Sequence, residues 1–124
     1  MLSVILPAFN EQENVAKAAS ALGQQLSRHN IEYELIFVND GSTDRTWQRL
    51  LQLAACDENI KAVNLSRNFG KESAIFAGLE CASGDACVIM DCDMQHPPAL
   101  VPKMYRLWQE SGADIVAVSY THLR

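Results

Sequence analysis

The sequence lacks several features that would place a chain directly in a functional class. Its basic residues are scattered and its formal net charge is -5, so it has no basic patch of the kind found in nucleic-acid-binding proteins. No G-x-G-x-x-G motif follows the first apolar run, which disfavours a dinucleotide-binding oxidoreductase. An anionic ligand would therefore need a local cation.

Secretory and membrane signals are also missing from the sequence. The amino terminus has no basic stretch, and its apolar run is too short for a signal peptide. No apolar run approaches the roughly 18 to 20 residues that cross a bilayer. The 4 cysteines form no C-x-x-C pair. We therefore expect a soluble, cytoplasmic chain with reduced thiols, and its 124 residues suit a single domain.

Short runs rich in Val and Ile alternate with segments of helical periodicity. The runs predicted to be strands are 3–6, 34–38, 62–65, 86–90 and 114–118. The helical faces predicted in the first three gaps are Val15, Ala18, Ala19, Leu22 and Leu26; Trp47, Leu50, Leu51 and Ala54; and Ile75, Gly78, Leu79 and Ala82. This alternation predicts an α/β fold with a mostly parallel five-stranded sheet and helices on both faces. Ligands of such sheets bind beyond the carboxyl ends of the strands.

Asn10 and Glu13 are predicted to form a capping box at the start of the first helix.

Asp91 and Asp93 follow directly after the predicted strand 86–90. Residues two apart in an extended chain point roughly the same way, so the two carboxylates are expected to lie side by side. Such a pair needs a cation, and oxygen ligands next to a diphosphate suit Mg2+ or Mn2+. An isolated D-x-D tripeptide is more often a solvated strand end, but its position after an apolar strand favours a metal site.

Asp40 lies in the second predicted βα junction, just after the strand 34–38, and begins the segment Asp40-Gly41-Ser42-Thr43-Asp44. Two interpretations of its carboxylate have equal weight. It can shape the turn before the next helix, or it can accept a hydrogen bond from a base N–H of uracil or guanine.

Arg67 and Lys71 flank the segment 68–70 at the start of the third predicted helix. A guanidinium and helix amides at this position can hold phosphate oxygens, and a solvated basic loop is the alternative. His96 precedes two prolines that suit a first helical turn, so helix entry is favoured over metal ligation.

These segments, taken in order, resemble the motifs of the family 2 inverting glycosyltransferases, which have the GT-A fold. The four matching blocks are Pro7-Ala8-Phe9-Asn10-Glu11, Asn39-Asp40-Gly41-Ser42-Thr43-Asp44, Arg67-Asn68-Phe69-Gly70-Lys71 and Asp91-Cys92-Asp93-Met94-Gln95-His96-Pro97-Pro98. Four ordered blocks are far more specific than one. The third block is similar to that of the polyprenyl-phosphate sugar transferases. The resemblance implies a GT-A-type, Rossmann-like fold.

The resemblance also implies roles for individual residues in a nucleotide-sugar site. Pro7, Ala8 and Glu11 would line the nucleotide pocket, Asp40 would contact the base, and Arg67 and Lys71 would serve the donor phosphates. Asp91 would face the ribose and diphosphate, Asp93 would bind the metal, and Gln95 would assist at the metal or the phosphate.

The reaction that the resemblance implies is metal-dependent transfer of a hexose from a UDP- or GDP-sugar to a polyprenyl (undecaprenyl or dolichyl) phosphate. The anomeric carbon would be inverted, and no general base is needed because a lipid phosphate is already anionic. The alternatives are transfer to a saccharide or protein acceptor, sugar nucleotidyl transfer, and nucleotide-sugar binding without catalysis. Nucleotidyl transfer would normally show a Gly-rich basic loop at residues 7–11, which this chain does not have there.

The same resemblance predicts domain boundaries. A nucleotide-sugar-binding domain is expected over residues 1–118, and the tail 119–124 does not resemble the family's continuation. In the lipid-phosphate subgroup later segments bind the acceptor and include interfacial or transmembrane helices. We therefore expect an enzyme of the cell envelope at the cytoplasmic face of a membrane, with no nucleic-acid partner. A homo-oligomer is compatible with this expectation, and the domain alone need not be active.

Overall fold

Parallel strands form the centre of the molecule, and helices connect them. The computed structural model describes residues 1–111. The elements in chain order are β1 (Leu2–Ala8), α1 (Val15–Arg28), β2 (Tyr33–Asp40), α2 (Thr46–Cys56), β3 (Ile60–Leu65), α3 (Lys71–Cys81), β4 (Ala86–Ile89) and α4 (Leu100–Ser111). The predicted alternation of strands and helices is confirmed over this part of the chain. None of these helices is long and apolar enough to span a bilayer.

The strand order is β3-β2-β1-β4, and every pairing is parallel. The chain thus moves outward from β1 to β3 and then returns to the other side of β1. Because parallel crossovers are right-handed, this reversal moves the connecting helix to the opposite face of the sheet. Helices α1 and α2 accordingly pack on one face and α3 on the other, which confirms the predicted placement. A reversal of this kind leaves a ligand crevice at the carboxyl ends of β1 and β4.

The two faces of the sheet are packed by different kinds of side chain. The residues predicted for the core face of α1 are all buried: Val15, Ala18, Ala19, Leu22 and Leu26. Helix α3 instead approaches the sheet through small residues, since a Cβ at Gly78 would lie 2.6 Å from Ile5 Cγ2. Leu79 and Leu51, predicted to face the core, are 40% and 48% exposed. The predicted core faces of α2 and α3 were wrong at these positions because Leu50 in α2 and the Ala74–Gly78 stripe in α3 contact the sheet.

The predictions for the number of strands, the end of β4 and the start of α1 differ from the structure. The sheet has four strands within residues 1–111, not five, and the fifth predicted strand, 114–118, lies outside the described residues. Strand β4 ends at Ile89, and Met94 N donates to Asp91 O at 3.4 Å, so Asp91 and Asp93 lie on a turn and not on extended chain. The predicted capping box is wrong, because α1 begins at Val15 and Asn10, at φ 54°, hydrogen-bonds to the loop after β2.

A buried carboxylate lies on the α3 face at the amino ends of the strands. Glu34 Oε2 accepts hydrogen bonds from Ser3 Oγ and Ser83 N, both at 2.6 Å, and Glu34 Oε1 lies 2.6 Å from Lys61 Nζ. Burial acts to raise the pKa of Glu34. The hydrogen bonds and the Lys61 ammonium outweigh burial, so the pKa of Glu34 lies below its ordinary value. This cluster anchors the connection between α3 and β4.

We expect Glu34 to stabilise the fold in a pH-dependent manner. Because its pKa is lower in the folded chain, its contribution is fully present above the unfolded-state pKa and is lost as the pH falls through the folded-state pKa. Glu34→Gln should lower the free energy of unfolding at neutral pH by about 1 to 3 kcal/mol. Urea unfolding at neutral pH and at about pH 3 measures the effect, which should shrink at the lower pH. Glu80→Gln, on the exposed surface of α3, is the control. An equal loss at both pH values would contradict the prediction.

Candidate functional site

Because side chains alternate along a strand, the predicted site residues of β1 and β2 lie on different faces of the sheet. Ile5 and Val38 pack against α3, and side chains two apart in a strand share a face. Pro7 and Asp40 therefore lie on the α3 face, at the carboxyl ends of β1 and β2. Ala8 is 1% exposed and belongs to the core on the α1 face, so only its backbone can contact a nucleotide.

Asp40 holds the loop that leads into α3. Its side chain is buried, Oδ1 accepts a hydrogen bond from Phe69 N at 2.8 Å, and Oδ2 accepts one from Gly70 N at 3.1 Å. One interpretation of the sequence is that Asp40 shapes the turn that follows it. Its carboxylate instead holds the backbone of residues 69–70. Each oxygen keeps a second lone pair, so a hydrogen bond from a base remains chemically open.

Gly41 allows this loop to lie directly against the end of β2. Its φ is 69°, a conformation that favours glycine, and a Cβ would lie 2.2 Å from Asn68 N. Any side chain at position 41 would therefore displace the loop that Asp40 holds.

Lys71 joins the third and fourth motifs. It is the first residue of α3, and its Nζ lies 2.7 Å from Asp91 Oδ1. Both side chains are partly exposed, at 59% for Lys71 and 31% for Asp91. The ion pair places the start of α3 directly beside the turn that follows β4.

The turn after β4 lies against the end of β1, so its carboxylates lie near that of Glu11. Cys92 is buried, and its Sγ donates to Pro7 O at 3.6 Å. Burial raises the pKa of Cys92, and the charges of Glu11, Asp91 and Asp93 raise it further. These three carboxylates therefore lie within electrostatic reach of one thiol.

The turn after β4 offers carboxylate and amide oxygens, which are the types of ligand that Mg2+ and Mn2+ prefer. Asp93 and Gln95 are exposed, and Gln95 N donates to Asp93 Oδ1 at 3.3 Å. Within residues 1–111, no three His, Cys, Asp or Glu side chains are arranged to hold a metal by themselves. Mg2+ and Mn2+ accept such incomplete protein sites because phosphate oxygens and water complete their coordination.

Arg67 lies apart from the ion pair. Its guanidinium sits over the ring of Phe69, 4.8 Å from the ring centroid. It also lines a cavity of about 330 Å³, together with Asn39 and Trp47. The lining also includes Gly41, Ser42 and Asp44 of the second motif, so this cavity adjoins the predicted site.

Sequence reasoning missed a set of hydrogen bonds that joins the loops after β1 and β2. The donors and acceptors are Asn10 N to Ser42 Oγ (2.9 Å), Thr43 N to Asn10 Oδ1 (2.8 Å), Glu11 N to Thr46 Oγ1 (2.8 Å), Gln12 N to Asp44 Oδ2 (3.4 Å) and Arg45 N to Gln12 Oε1 (2.9 Å). The only signal in the sequence is the density of short polar side chains in both loops, since these residues often bond to backbone amides. The network fixes Glu11 relative to Asp40.

Asp44 is central to this network, and we expect its removal to loosen the site. Burial acts to raise the pKa of Asp44, but hydrogen bonds from Thr46 and Gln12 lower it below its ordinary value. Asp44→Ala should lower the free energy of unfolding by about 1 kcal/mol and weaken nucleotide binding. Asp57→Ala, which removes a comparable local hydrogen bond to Asn59 N, is the control for urea unfolding and calorimetry. Nucleotide affinity equal to that of the control would contradict a role in the site.

The chain is similar to known proteins over most of its length. The family model described as "Glycosyl transferase family 2" matches residues 3–122. A bactoprenol glucosyl transferase of Shigella phage SfV is 39% identical over 115 residues, which cover 93% of this chain and 37% of that protein. The chain spans 36–37% of the length of the curated relatives that it matches most strongly.

Two solved structures share the fold and more than a quarter of the aligned residues. A mannosyltransferase of Pyrobaculum calidifontis, in complex with GDP-Man and Mn2+, has a TM-score of 0.66 and 26% identity, over 74% of this chain and 27% of that one. The glucosyl-3-phosphoglycerate synthase of Mycobacterium tuberculosis, in complex with Mn2+, UDP-glucose and phosphoglyceric acid, has a TM-score of 0.67 and 26% identity, over 86% and 39%. Both are GT-A glycosyltransferases, so the predicted GT-A-type fold is confirmed.

Proposed function

The chain belongs to glycosyl transferase family 2, and on that basis we propose that it binds a UDP- or GDP-hexose with Mg2+ or Mn2+ for transfer, with inversion, to a polyprenyl phosphate. The observation that carries the donor site is the contact of 2.7 Å between Lys71 and Asp91. This contact joins two motifs that are separate in sequence. It lies near the point between β1 and β4 where the order of the strands in the sheet reverses. Parallel α/β sheets bind their ligands at this point.

The chain's own residues can perform each part of donor binding. Pro7 and Glu11 form the β1 side of the pocket, and the remaining lone pairs of Asp40 can accept a base N–H. Lys71 and the backbone amides of the first turn of α3 would bind phosphate oxygens, because a helix N-terminus attracts anions. The β1–β2 loop network holds Glu11 and Asp40 in fixed relative positions before the donor arrives.

The metal would be held by the turn after β4. Asp93 is the proposed principal ligand because it is exposed. Asp91 lies between this turn and α3 and would face the ribose and diphosphate, with Gln95 assisting at the metal or the phosphate. A bound divalent cation neutralises the charge of the departing diphosphate. Two neighbouring solved structures contain Mn2+, which supports a divalent cation without deciding between Mn2+ and Mg2+.

The acceptor class rests on the bactoprenol glucosyl transferase at 39% identity. A polyprenyl phosphate presents an oxygen that is already anionic at neutral pH, so its attack on the anomeric carbon needs little help from a base. The residues of this site would then need only to hold the donor and stabilise its leaving group. A lipid acceptor also implies that the intact protein works at a membrane surface, which we propose to be the cytoplasmic face.

Asp93→Ala should abolish metal-dependent transfer, because it removes the proposed principal ligand. Calorimetry with UDP, GDP and their sugars, with and without Mn2+, should show that this variant loses the Mn2+-dependent gain in affinity, about tenfold or more. Asp57→Ala, in the turn after α2 and outside the four motifs, should behave as wild type. Turnover like that of wild type in Asp93→Ala would contradict the assignment.

The acceptor is tested by offering the intact protein a labelled donor with polyprenyl phosphate, with the matched polyprenol, or with a soluble saccharide or protein. We expect labelled lipid only with the phosphate, since the alcohol needs a general base. Transfer to the saccharide or protein would favour the alternative acceptor class. Donor binding without transfer to any acceptor would favour a nucleotide-sugar-binding module.

A further inference from the structure

Lys71 occupies a position that is electrostatically unfavourable for a cation. It is the first residue of α3, and the amino end of a helix carries partial positive charge. A lysine is tolerated there when an anion lies close by, and Asp91 supplies that anion at 2.7 Å. The two together form a positive and a negative group side by side, where the donor diphosphate and metal are proposed to bind.

The position of Lys71 is set by the backbone and not by the ion pair alone. Asp40 accepts hydrogen bonds from Phe69 N and Gly70 N, at 2.8 and 3.1 Å, and so fixes the two residues that precede α3. The Lys71 side chain itself is 59% exposed, and an exposed ion pair adds little stability. The backbone of Lys71 is thus held firmly while its ammonium is free to exchange partners.

We propose that Lys71 is the counter-ion of Asp91 in the donor-free site and that it moves to the donor diphosphate when donor and metal bind. This inference rests on the donor site proposed above. Without a donor, the ammonium neutralises Asp91, which leaves Asp93 with less help in holding a divalent cation. With a donor, the ammonium pairs with the diphosphate, and the Asp91 carboxylate becomes available to the metal and to the nucleotide.

This exchange makes metal and donor binding cooperative. A divalent cation alone must displace Lys71 from Asp91, whereas a cation that arrives with a diphosphate meets a carboxylate that has been released. By linkage, each ligand raises the affinity of the other by the same factor. Lys71 would therefore determine that the metal enters together with the donor and is not held by the empty protein.

The test measures Mn2+ binding without any nucleotide, by electron paramagnetic resonance of free Mn2+, in the intact protein. Lys71→Met should raise the affinity for Mn2+ alone by about fivefold or more, because Asp91 loses its competing cation. The same variant should bind UDP or GDP, whichever wild type binds, about tenfold more weakly in the presence of Mn2+. Lys71→Arg should restore both values toward wild type, and Lys17→Met, at an exposed position of α1, is the control.

The double variant Lys71→Met with Asp91→Asn should lose the gain in Mn2+ affinity, since the gain acts through Asp91. Unchanged or weaker binding of Mn2+ alone in Lys71→Met would overturn the proposal, as would a gain that persists in the double variant. Failure of the proposed function is a separate outcome. It would appear as a wild-type protein that binds neither UDP nor GDP with or without Mn2+, irrespective of the comparison of Mn2+ affinities.

Discussion

The site depends on one buried carboxylate, that of Asp40, and on the two backbone amides that it binds. A buried charge is costly unless it is hydrogen-bonded, and Phe69 N and Gly70 N satisfy both of its oxygens. These bonds tie the start of α3 to the end of β2. Lys71 follows directly and lies within 2.7 Å of Asp91, so the loop that Asp40 holds is linked to the turn after β4.

The α3 face of the sheet carries both a stabilising cluster and part of the proposed donor site. Glu34 lies at its amino end, Ile5 and Val38 occupy its centre, and Asp40 lies at its carboxyl end. The pleat places these residues on one face because side chains alternate along each strand. Helix α3 approaches this face closely at Gly78, where a Cβ would lie 2.6 Å from Ile5 Cγ2.

Several residues of the motifs stabilise the loops through hydrogen bonds or core packing and are not direct candidates for ligand contact. Asn10 and Asp44 belong to such motifs, and both bind backbone amides of the neighbouring loop. Ala8 lies in the core. The hydrogen bonds of Asn10 and Glu11 thus hold the first loop in place next to the second loop.

The sequence by itself determined the alternation of strands and helices, the core face of α1 and the loops that form the site, because hydrophobic period and turn chemistry are local properties. It also indicated the family, through four ordered motifs. It did not determine the turn at Asp91–Met94, the target of Asp40, or the Lys71–Asp91 pair. The last two are contacts between residues at or beyond the carboxyl ends of different strands, and only the strand order β3-β2-β1-β4 brings those residues together. Side-chain pairing across strand ends is a consequence of topology, which no local pattern of residues encodes.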